Sequence, residues 1–288
     1  MGNTYKIDLA KIRQENLKDV FIILEERLRM LKIDFYLLGA IARDVWISGV
    51  YEQMPGRMTR DLDIAVLIDR EESYKILRDE LIQTGRFTPL RQNKYVLIFD
   101  GRIEIDLLPF GGLNLDSLHL ADSLTLSSRN GLQEVNNFAT EEVSLDEVPF
   151  KVCTLPGLVL LKLIAFDDRP EMRRKDLDDV GSILRRYSNI AGAEIYRDEN
   201  LDLLDLDSSL KIGIQLMGRQ IRSILIESEA LKNRLISILS KYQFFLSEET
   251  TYSSIRDQAE PIDALKYLLA GLTTPGSDEQ KGDSGKGK

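Results

Sequence analysis

Histidine and cysteine, the side chains that build most zinc sites, are almost missing from this sequence. The 288 residues include one histidine, His119, and one cysteine, Cys153. A single cysteine excludes an internal disulfide, and the two residues cannot assemble a zinc site of the usual Cys/His kind. We expect both to be structural. Any catalytic metal must then be held mainly by oxygen ligands, which favours magnesium or manganese.

Long apolar runs are missing as well. The longest stretches, such as 64–68 and 158–161, fall far short of the roughly 20 residues that a membrane-spanning helix requires. The first residues hold no apolar core with a basic flank and a small-residue cleavage site, so they do not resemble a secretory signal. We therefore expect no membrane-crossing segment and a cytoplasmic location.

The sequence also lacks an excess of basic residues, since its formal net charge is -9. A protein that coats nucleic acid through a general basic surface needs many Lys and Arg contacts to phosphates, so the net charge argues against this mode. Local basic pockets remain open. One basic run contains Arg169, Arg173 and Arg174, which either guide an RNA end or face solvent.

The periodicity of apolar residues predicts an α/β first half. Apolar residues at three- and four-residue spacing indicate amphipathic helices, and β-branched runs indicate buried strands. Asp100-Gly101 is a dipeptide favoured in tight hairpin turns. In chain order we predict a helix at 15–32, a strand at 35–38, a helix at 40–48 closed by Gly49, a loop at 51–60, a strand at 62–68, a helix at 71–84, and strands at 94–99 and 102–108.

The second half reads as helical. Between 111 and 149 the pattern is weak, with strands suggested at 138–145 and 150–154. After Pro156, apolar residues predict helices around 158–165, 177–184, 210–226 and 231–245. We place the domain boundary near residue 150 and expect a helical domain over 151–272. The stretch 273–288 has no aromatic or β-branched residue after Thr274 and is expected to be a disordered tail.

Two aspartates at the start of a predicted strand carry the main chemical signal. Asp61 and Asp63 are two residues apart, so a strand presents both carboxylates on one face. Such a pair repels itself unless a cation neutralises it, and Mg²⁺ held by carboxylates and substrate phosphates does so. The same Asp-Leu-Asp spacing at 176–178 and 205–207 lacks a flanking apolar strand, and we assign neither as a metal pair.

A third carboxylate comes from the strand predicted at 102–108. Neighbouring strands lie about 4.8 Å apart, so Asp106 on an adjacent strand would complete a site for two metals about 3.5–4 Å from each other. Glu104 shares a strand face with Asp106 and competes with it for this role.

These motifs resemble the DNA polymerase β-like nucleotidyltransferases. The order is a strand, Gly39-Ala40, a helix, an Arg-x-Thr-x-Asp-x-Asp element ending at Asp63, and an Ile-Asp-Leu-Leu-Pro element around Asp106. The closest resemblance is to the AbiEii-like branch of bacterial type IV toxin-antitoxin systems. It covers most of 35–110 and extends into the helical half. There Lys162 is followed by Lys175-Asp176 and Asp179, two aspartates that share a helical face.

The resemblance implies an α+β fold and an enzyme class. Residues 1–150 would form the catalytic domain with a mixed sheet, and 151–272 would add nucleotide and acceptor contacts. The implied activity is metal-dependent transfer of a nucleoside monophosphate from an NTP (EC 2.7.7) with release of pyrophosphate. The implied site comprises metal ligands Asp61, Asp63 and Asp106, catalytic Lys162, and nucleotide contacts Gly39, Ala40, Arg43, Thr59, Lys175, Asp176 and Asp179.

Several alternatives stay open. The superfamily usually has serine or glycine where this chain has Ala40, and alanine cannot supply a hydroxyl to the phosphates. Arg43 either contacts phosphate or pairs with Asp44, and Lys162 either faces a triphosphate or forms a salt bridge. The acceptor is a tRNA 3′ end or a small molecule, and an antitoxin partner is implied by the branch. The rival to an enzyme is a non-catalytic nucleotide- or partner-binding module.

Overall fold

The structure, a computed structural model, describes residues 5–12, 16–54, 61–111, 131–247 and 260–274. These residues divide into two compact units, one ending at Leu158 and the other beginning at Val159. None of the described helices is both long enough and apolar enough to cross a membrane.

A mixed sheet organises the first unit. Its strands lie in the order β1-β7-β8-β2-β3-β6-β5-β4. The pairs β3/β6, β2/β8 and β1/β7 are parallel, whereas the other neighbours are antiparallel. The strands are β1 (Tyr5–Ile7), β2 (Phe35–Leu38), β3 (Asp61–Leu67), β4 (Phe87–Pro89), β5 (Val96–Phe99), β6 (Ile103–Phe110), β7 (Thr140–Leu145) and β8 (Val148–Cys153).

Helices cover this sheet through their apolar sides. The first helix buries five side chains at three- and four-residue spacing, as the sequence pattern requires. The helices of the first unit are α1 (Leu17–Met30), α2 (Gly39–Asp44), α3 (Glu71–Gln83) and α4 (Leu132–Phe138), with a 3₁₀ turn at Leu9–Lys11 and a π-helical segment at Val45–Val50.

The second unit is helical, and α7 packs closely against α9. It contains most of α5 (Leu155–Asp168), α6 (Arg174–Ala191), 3₁₀ helices at Gly192–Tyr196 and Asp198–Asp205, α7 (Ser209–Ile224), α8 (Glu229–Lys241), the paired β9 (Phe245–Leu246) and β10 (Ile262–Asp263), and α9 (Ala264–Thr273). The predicted α+β class, with a mixed sheet in the first half and helices in the second, is confirmed.

The hairpin at Asp100-Gly101 forms as predicted. Both residues have positive φ, 48° and 68°, the conformation that a tight turn between twisted antiparallel strands requires. The prediction for Gly49 was wrong, because the helix passes into the π-helical segment and Gly49 lies within it. A Cβ there would lie 2.7 Å from Cγ2 of Ile7, so close packing against β1 requires glycine.

Short elements escaped the sequence patterns. Strands β1 and β4, helix α4 and the 3₁₀ helices were not predicted, since each offers few residues in which a period can repeat. Helix α9 was not predicted either, although it spans ten residues. The helix predicted at 231–245 ends at Lys241, because Phe245 and Leu246 pair with β10 instead. Most of the loop predicted at 51–60 and nearly all of the predicted tail lie outside the described residues.

The crossing of α7 and α9 depends on two glycines. A Cβ on Gly218 would lie 3.0 Å from Cα of Gly271 and 3.0 Å from N of Leu272, and closer still to the carbonyl oxygen of Leu268. These neighbours are backbone atoms, which cannot move aside as a flexible side chain can. The helix spacing is therefore set by the absence of side chains at this point.

We expect Gly218→Ala to destabilise the protein, although alanine is normally the better helix former. Overpacking of this kind costs roughly 1–3 kcal/mol in the free energy of unfolding, more than the gain of about 1 kcal/mol from propensity. Urea denaturation would measure the difference. Ser223→Ala on the exposed side of α7 is the matched control and should be nearly neutral. Equal or greater stability of Gly218→Ala would contradict the close crossing.

Candidate active site

Four carboxylates stand in register on adjacent parallel strands. Asp61 of β3 lies opposite Glu104 of β6, and Asp63 lies opposite Asp106. Residues two apart on a strand share a face, and side chains in register on neighbouring strands share it too. All four carboxylates therefore lie on one face of the sheet, and we call them the carboxylate row.

The opposite face of the sheet is apolar, which explains why β3 and β6 pair in this register. Alternate residues of β3 and β6 are apolar and fully buried, namely Leu62, Ile64, Ile105 and Leu107. Burial of each such side chain contributes about 1.5–3 kcal/mol relative to exposure. A slip of one residue in the pairing would turn these side chains outward and the acids inward, so the hydrophobic pattern fixes the register.

Gly39 lies directly beside the carboxylate row. It joins β2 to α2 with φ of +72°, a conformation that L side chains rarely adopt. A Cβ at this position would lie 2.8 Å from Cγ of Asp63 and would overlap its Oδ2 atom. The first residues of α2 therefore approach the Asp63 carboxylate as closely as a backbone without a side chain permits. Ala40 follows and is half-buried.

The surroundings of Asp106 raise the pKa of its carboxyl. Burial raises its pKa from 3.8 to about 6, with further contributions from the negative charges of Asp61 and Glu104. Its register partner Asp63 is half-buried, whereas Asp61 and Glu104 are exposed. Burial therefore distinguishes Asp106 from Glu104, the rival for the third position, and the row carries repulsion that a bound cation would relieve.

The donor set suits a hard divalent cation, but its side chains are not gathered into a metal cluster. Carboxylate oxygens are the ligands that magnesium prefers, and the row offers them on one face. Within the ranges that the structure describes, no three His, Cys, Asp or Glu side chains converge closely enough to hold a metal ion. The chemistry of the row therefore fits magnesium.

Arg43 and Thr59 are two side chains of the first half for which the sequence predicts a nucleotide contact. Arg43 is buried, with 2% of its surface exposed, and its Nε donates to Oδ1 of Asp44 at 2.9 Å. The pairing with Asp44 that the sequence left open is thus present, and a contact of Arg43 with nucleotide stays a prediction. Thr59 and His119 lie outside the described residues. Cys153 is buried in β8, as expected of a structural residue.

The predicted motif of the second unit comes together as an ion cluster. Lys162 on α5 donates from Nζ to Oδ1 of Asp176 at 2.9 Å and to Oδ2 of Asp179 at 2.7 Å, both on α6. Burial alone would lower the pKa of Lys162, but the two carboxylates raise it above its ordinary value. The salt bridge supplies the partner that the buried ammonium needs, so its burial is explained without a triphosphate. The role of these three residues in nucleotide binding stays a prediction.

The residues of the basic run beside this cluster differ in exposure and in ion pairing. Nη1 of Arg173 lies 3.3 Å from Oδ2 of Asp176 and extends the cluster. Arg174 and Lys175 are exposed on the first turn of α6, and Arg169 is half-buried. Arg173 therefore has a structural partner, and the contacts predicted for Lys175 with nucleotide and for Arg169 and Arg174 with RNA stay predictions.

No protein-family model matches the chain, and no curated protein matches it by sequence. Solved structures do align with it. An antigenic nucleotidyltransferase-like protein from Paracoccidioides brasiliensis aligns at 16% identity and a TM-score of 0.42, over 69% of this chain and 94% of its own. ANT(2'')-Ia in complex with adenylyl-2''-tobramycin aligns at 11% identity and 0.35, over 65% and 92%. A CCA-adding enzyme in complex with CTP aligns at 13% and 0.32, over 83% and 56%. All three TM-scores lie below 0.5, so these structures are similar to the chain only in outline.

The raised pKa of Asp106 predicts a pH dependence of stability. Between pH 3.8 and about 6 the folded protein binds this proton more tightly than the unfolded chain, so the free energy of unfolding falls as pH rises through this window. In EDTA, Asp106→Asn should abolish this decline and stabilise the protein above pH 6, by at most about 3 kcal/mol. Urea denaturation across this pH range would measure both effects.

The exposed acid Glu142 offers a control for general charge removal, since Glu142→Gln should leave the pH profile unchanged. Magnesium should stabilise the wild type more than Asp106→Asn, because a ligand that binds only the folded state shifts unfolding in proportion to its affinity. Identical pH profiles for Asp106→Asn and the wild type would show that the pH dependence of stability does not come from Asp106.

The ion cluster of Lys162, Asp176 and Asp179 predicts that substitution of the lysine destabilises the protein. Lys162→Met leaves Asp176 and Asp179 without their ammonium, and removal of one partner from a buried pair costs about 3–5 kcal/mol in the free energy of unfolding. Thermal and urea denaturation should show this loss. Lys211→Met is the matched control, because it breaks a pair with the exposed Asp207 and should cost less than about 1 kcal/mol. Similar losses in both variants would contradict a structural role for the cluster.

Proposed function

We propose that this protein is a metal-dependent nucleotidyltransferase, which transfers a nucleoside monophosphate from an NTP to an acceptor and releases pyrophosphate. The observation that carries the proposal is the carboxylate row, with Asp63 and Asp106 in register beside Gly39 at the start of α2. Enzymes that act on phosphates use carboxylates placed together on one face to hold divalent cations.

Asp61, Asp63 and Asp106 would hold magnesium or manganese. A bound divalent cation polarises phosphate oxygens and lowers the pKa of an acceptor hydroxyl. Asp106 titrates near pH 6 without a cation, so at neutral pH its carboxylate is mostly ionised and can accept a proton. The exposed Asp61 and the half-buried Asp63 lie on the open part of the row, where phosphate oxygens have access.

The transfer itself is a substitution at phosphorus. The acceptor oxygen forms a bond to the α-phosphorus, and the bond from that phosphorus to the oxygen bridging to the β-phosphate breaks. Pyrophosphate leaves with the electron pair of the broken bond, and the proton of the acceptor passes to a carboxylate oxygen of Asp106. The chain thus supplies a base and a fixed array of negative charge for cation binding.

Backbone N–H groups that follow Gly39 would donate hydrogen bonds to the phosphates. The N–H groups in the first turn of a helix have no partner within the helix, and its dipole favours negative charge there. α2 continues directly into the π-helical segment, so the helical stretch runs from Gly39 to Val50. Ala40 offers only its backbone N–H, which makes the phosphate contact weaker than one that includes a serine hydroxyl.

The acceptor is proposed from the sequence resemblance. The AbiEii-like motifs suggest the 3′ end of a tRNA, a toxin activity and an antitoxin partner, and the net charge of -9 is equally compatible with a small-molecule acceptor. A cytoplasmic enzyme with no membrane attachment fits both acceptors.

A non-catalytic nucleotide-binding module is the second candidate. It is favoured by Ala40 and by the separation of the carboxylates, which form no cluster of three metal-ligating side chains within the described ranges. The two functions differ in one measurable respect, since a binding module takes up NTP and magnesium without releasing pyrophosphate.

We expect Asp61→Asn combined with Asp63→Asn to abolish nucleotide transfer while leaving the fold intact or more stable, because removal of two like charges relieves repulsion. Each of the four α-labelled NTPs would be incubated with total bacterial RNA, or with aminoglycosides as small acceptors, in magnesium or in EDTA. Incorporation of label and release of pyrophosphate would be followed together. Activity should require a divalent metal.

Asp205→Asn combined with Asp207→Asn is the matched control, because it removes the same Asp-Leu-Asp spacing from a segment without a carboxylate row. This control should transfer label at the wild-type rate. Full activity in the variant of Asp61 and Asp63 would disprove the site. Calorimetric binding of a non-hydrolysable NTP without any transfer by the wild type would instead favour the binding module.

A further inference from the structure

The 3₁₀ helix at Asp198–Asp205 has a burial pattern that repeats every three residues. Two exposed residues are followed by one buried residue throughout, and the buried positions are Asn200 and Leu203, at 5% and 0% exposure. A 3₁₀ helix has three residues per turn, so residues three apart lie in one row along its surface. The helix therefore presents two outer rows and one inner row.

The inner row anchors this helix to the second unit. Nδ2 of Asn200 donates to the carbonyl oxygen of Glu194 at 2.9 Å, and Nη1 of the buried Arg219 donates to Oδ1 of Asn200 at 3.0 Å. Arg219 also donates to the carbonyl oxygen of Glu199 at 2.7 Å. Leu203 completes the contact with the core. The attachment thus uses the inner row together with Asp202, whose carboxylate also pairs with Arg219, and it leaves Leu201 and Leu204 exposed.

One outer row carries two leucines, with Asp198 at its start. Leu201 and Leu204 are 46% and 43% exposed, and we call the pair the leucine ridge. A single exposed leucine is ordinary, but two in one row on a helix whose packing already depends on another row form a continuous apolar surface. Residues three apart in a 3₁₀ helix are about 6 Å apart along its axis.

The other outer row is acidic. It consists of Glu199, Asp202 and Asp205, and we call it the acidic ridge. Asp202 is paired with Arg219, whereas neither Glu199 nor Asp205 has an ion-pair partner within the described chain. Residues 194–207 contain six acidic residues, three of which are paired with Arg197, Lys211 and Arg219, so a net negative charge remains beside the leucine ridge.

We propose that these two ridges form a docking surface for an amphipathic α-helix of another protein, one that carries apolar residues one turn apart and Lys or Arg beside them. The spacing supports this partner, because one turn of an α-helix rises 5.4 Å, close to the separation along the leucine ridge. The charge supports it as well, since an acidic surface steers a basic segment towards it and sets its orientation.

The same features disfavour other occupants. A second copy of this chain would bring a like-charged acidic ridge against the first, unless the ridges were offset. A nucleic acid would be repelled by residues 194–207, because its phosphates need basic contacts. The proposal does not depend on the nucleotidyltransferase activity, since it concerns a different surface of the second unit alone.

The test uses a fluorescent synthetic helix with leucines at i and i+4 and lysines beside them, titrated with the full-length protein and followed by anisotropy. Leu201→Ser combined with Leu204→Ser should weaken binding at least about tenfold, the loss typical of central apolar contacts. Glu199→Gln combined with Asp205→Asn should weaken it as well and reduce its dependence on salt. A probe with serines in place of its leucines separates docking from charge attraction, since it should bind at least about tenfold more weakly.

Two control variants remove similar groups elsewhere. Ile226→Ser removes an isoleucine that is 75% exposed, and Glu141→Gln combined with Glu142→Gln removes two exposed acids of β7. Both should bind the helix like the wild type. Circular dichroism of every variant would confirm that the fold is kept.

The proposal is overturned if the wild type does not bind the helix, or if the variant lacking both ridge leucines binds as tightly as the wild type. Equal weakening in the control variants would show non-specific attraction and overturn it too. Sedimentation velocity would test whether a second copy of the chain is the occupant. Self-association of the wild type that disappears in the leucine variant would show this and overturn the proposal.

Discussion

The parallel pairing of β3 with β6 imposes the constraint on which the candidate site depends. It aligns Asp63 with Asp106 and Asp61 with Glu104, so four like charges share one face of the sheet. The pairing persists because the opposite face buries apolar side chains, whose removal from water outweighs the repulsion. The cost remains visible in Asp106, where burial and the neighbouring charges raise the pKa to about 6. Apolar packing on one side thus maintains an electrostatically unfavourable arrangement on the other.

Buried charged groups have different surroundings in the two units. In the second unit, Lys162 is matched by Asp176 and Asp179 at hydrogen-bonding distance, so the charges are compensated within the chain. In the first unit, four carboxylates lie in register on β3 and β6, and Gly39 keeps the adjacent space free of a side chain. Burial and the neighbouring acids raise the pKa of Asp106 to about 6, whereas Asp176 and Asp179 are each held by the ammonium of Lys162. This difference is why we place the chemistry in the first unit.

The negative charge of the chain also has two separate uses in these proposals. At the carboxylate row it is concentrated by strand register and partly buried, which suits a small divalent cation. At the 3₁₀ helix Asp198–Asp205 it is exposed and lies beside leucines, which suits a larger basic and apolar partner. The net charge of -9 reveals neither arrangement by itself, because it does not say which acids are neighbours.

The sequence by itself determined the long elements and the identity of the acids. Strands β2, β3, β5 and β6 and the hairpin at Asp100-Gly101 follow from local periodicity and turn chemistry, which act between residues close in the chain. Asp61 and Asp63 were identifiable because a strand places alternate residues on one face. Only the tertiary structure decided that Asp106 lies opposite Asp63, that Arg43 is buried against Asp44, and that Lys162 is held by Asp176 and Asp179. The register of Asp106 and the partners of Lys162 depend on contacts between separate segments, and the burial of Arg43 depends on the packing of the whole unit, so no local pattern records them.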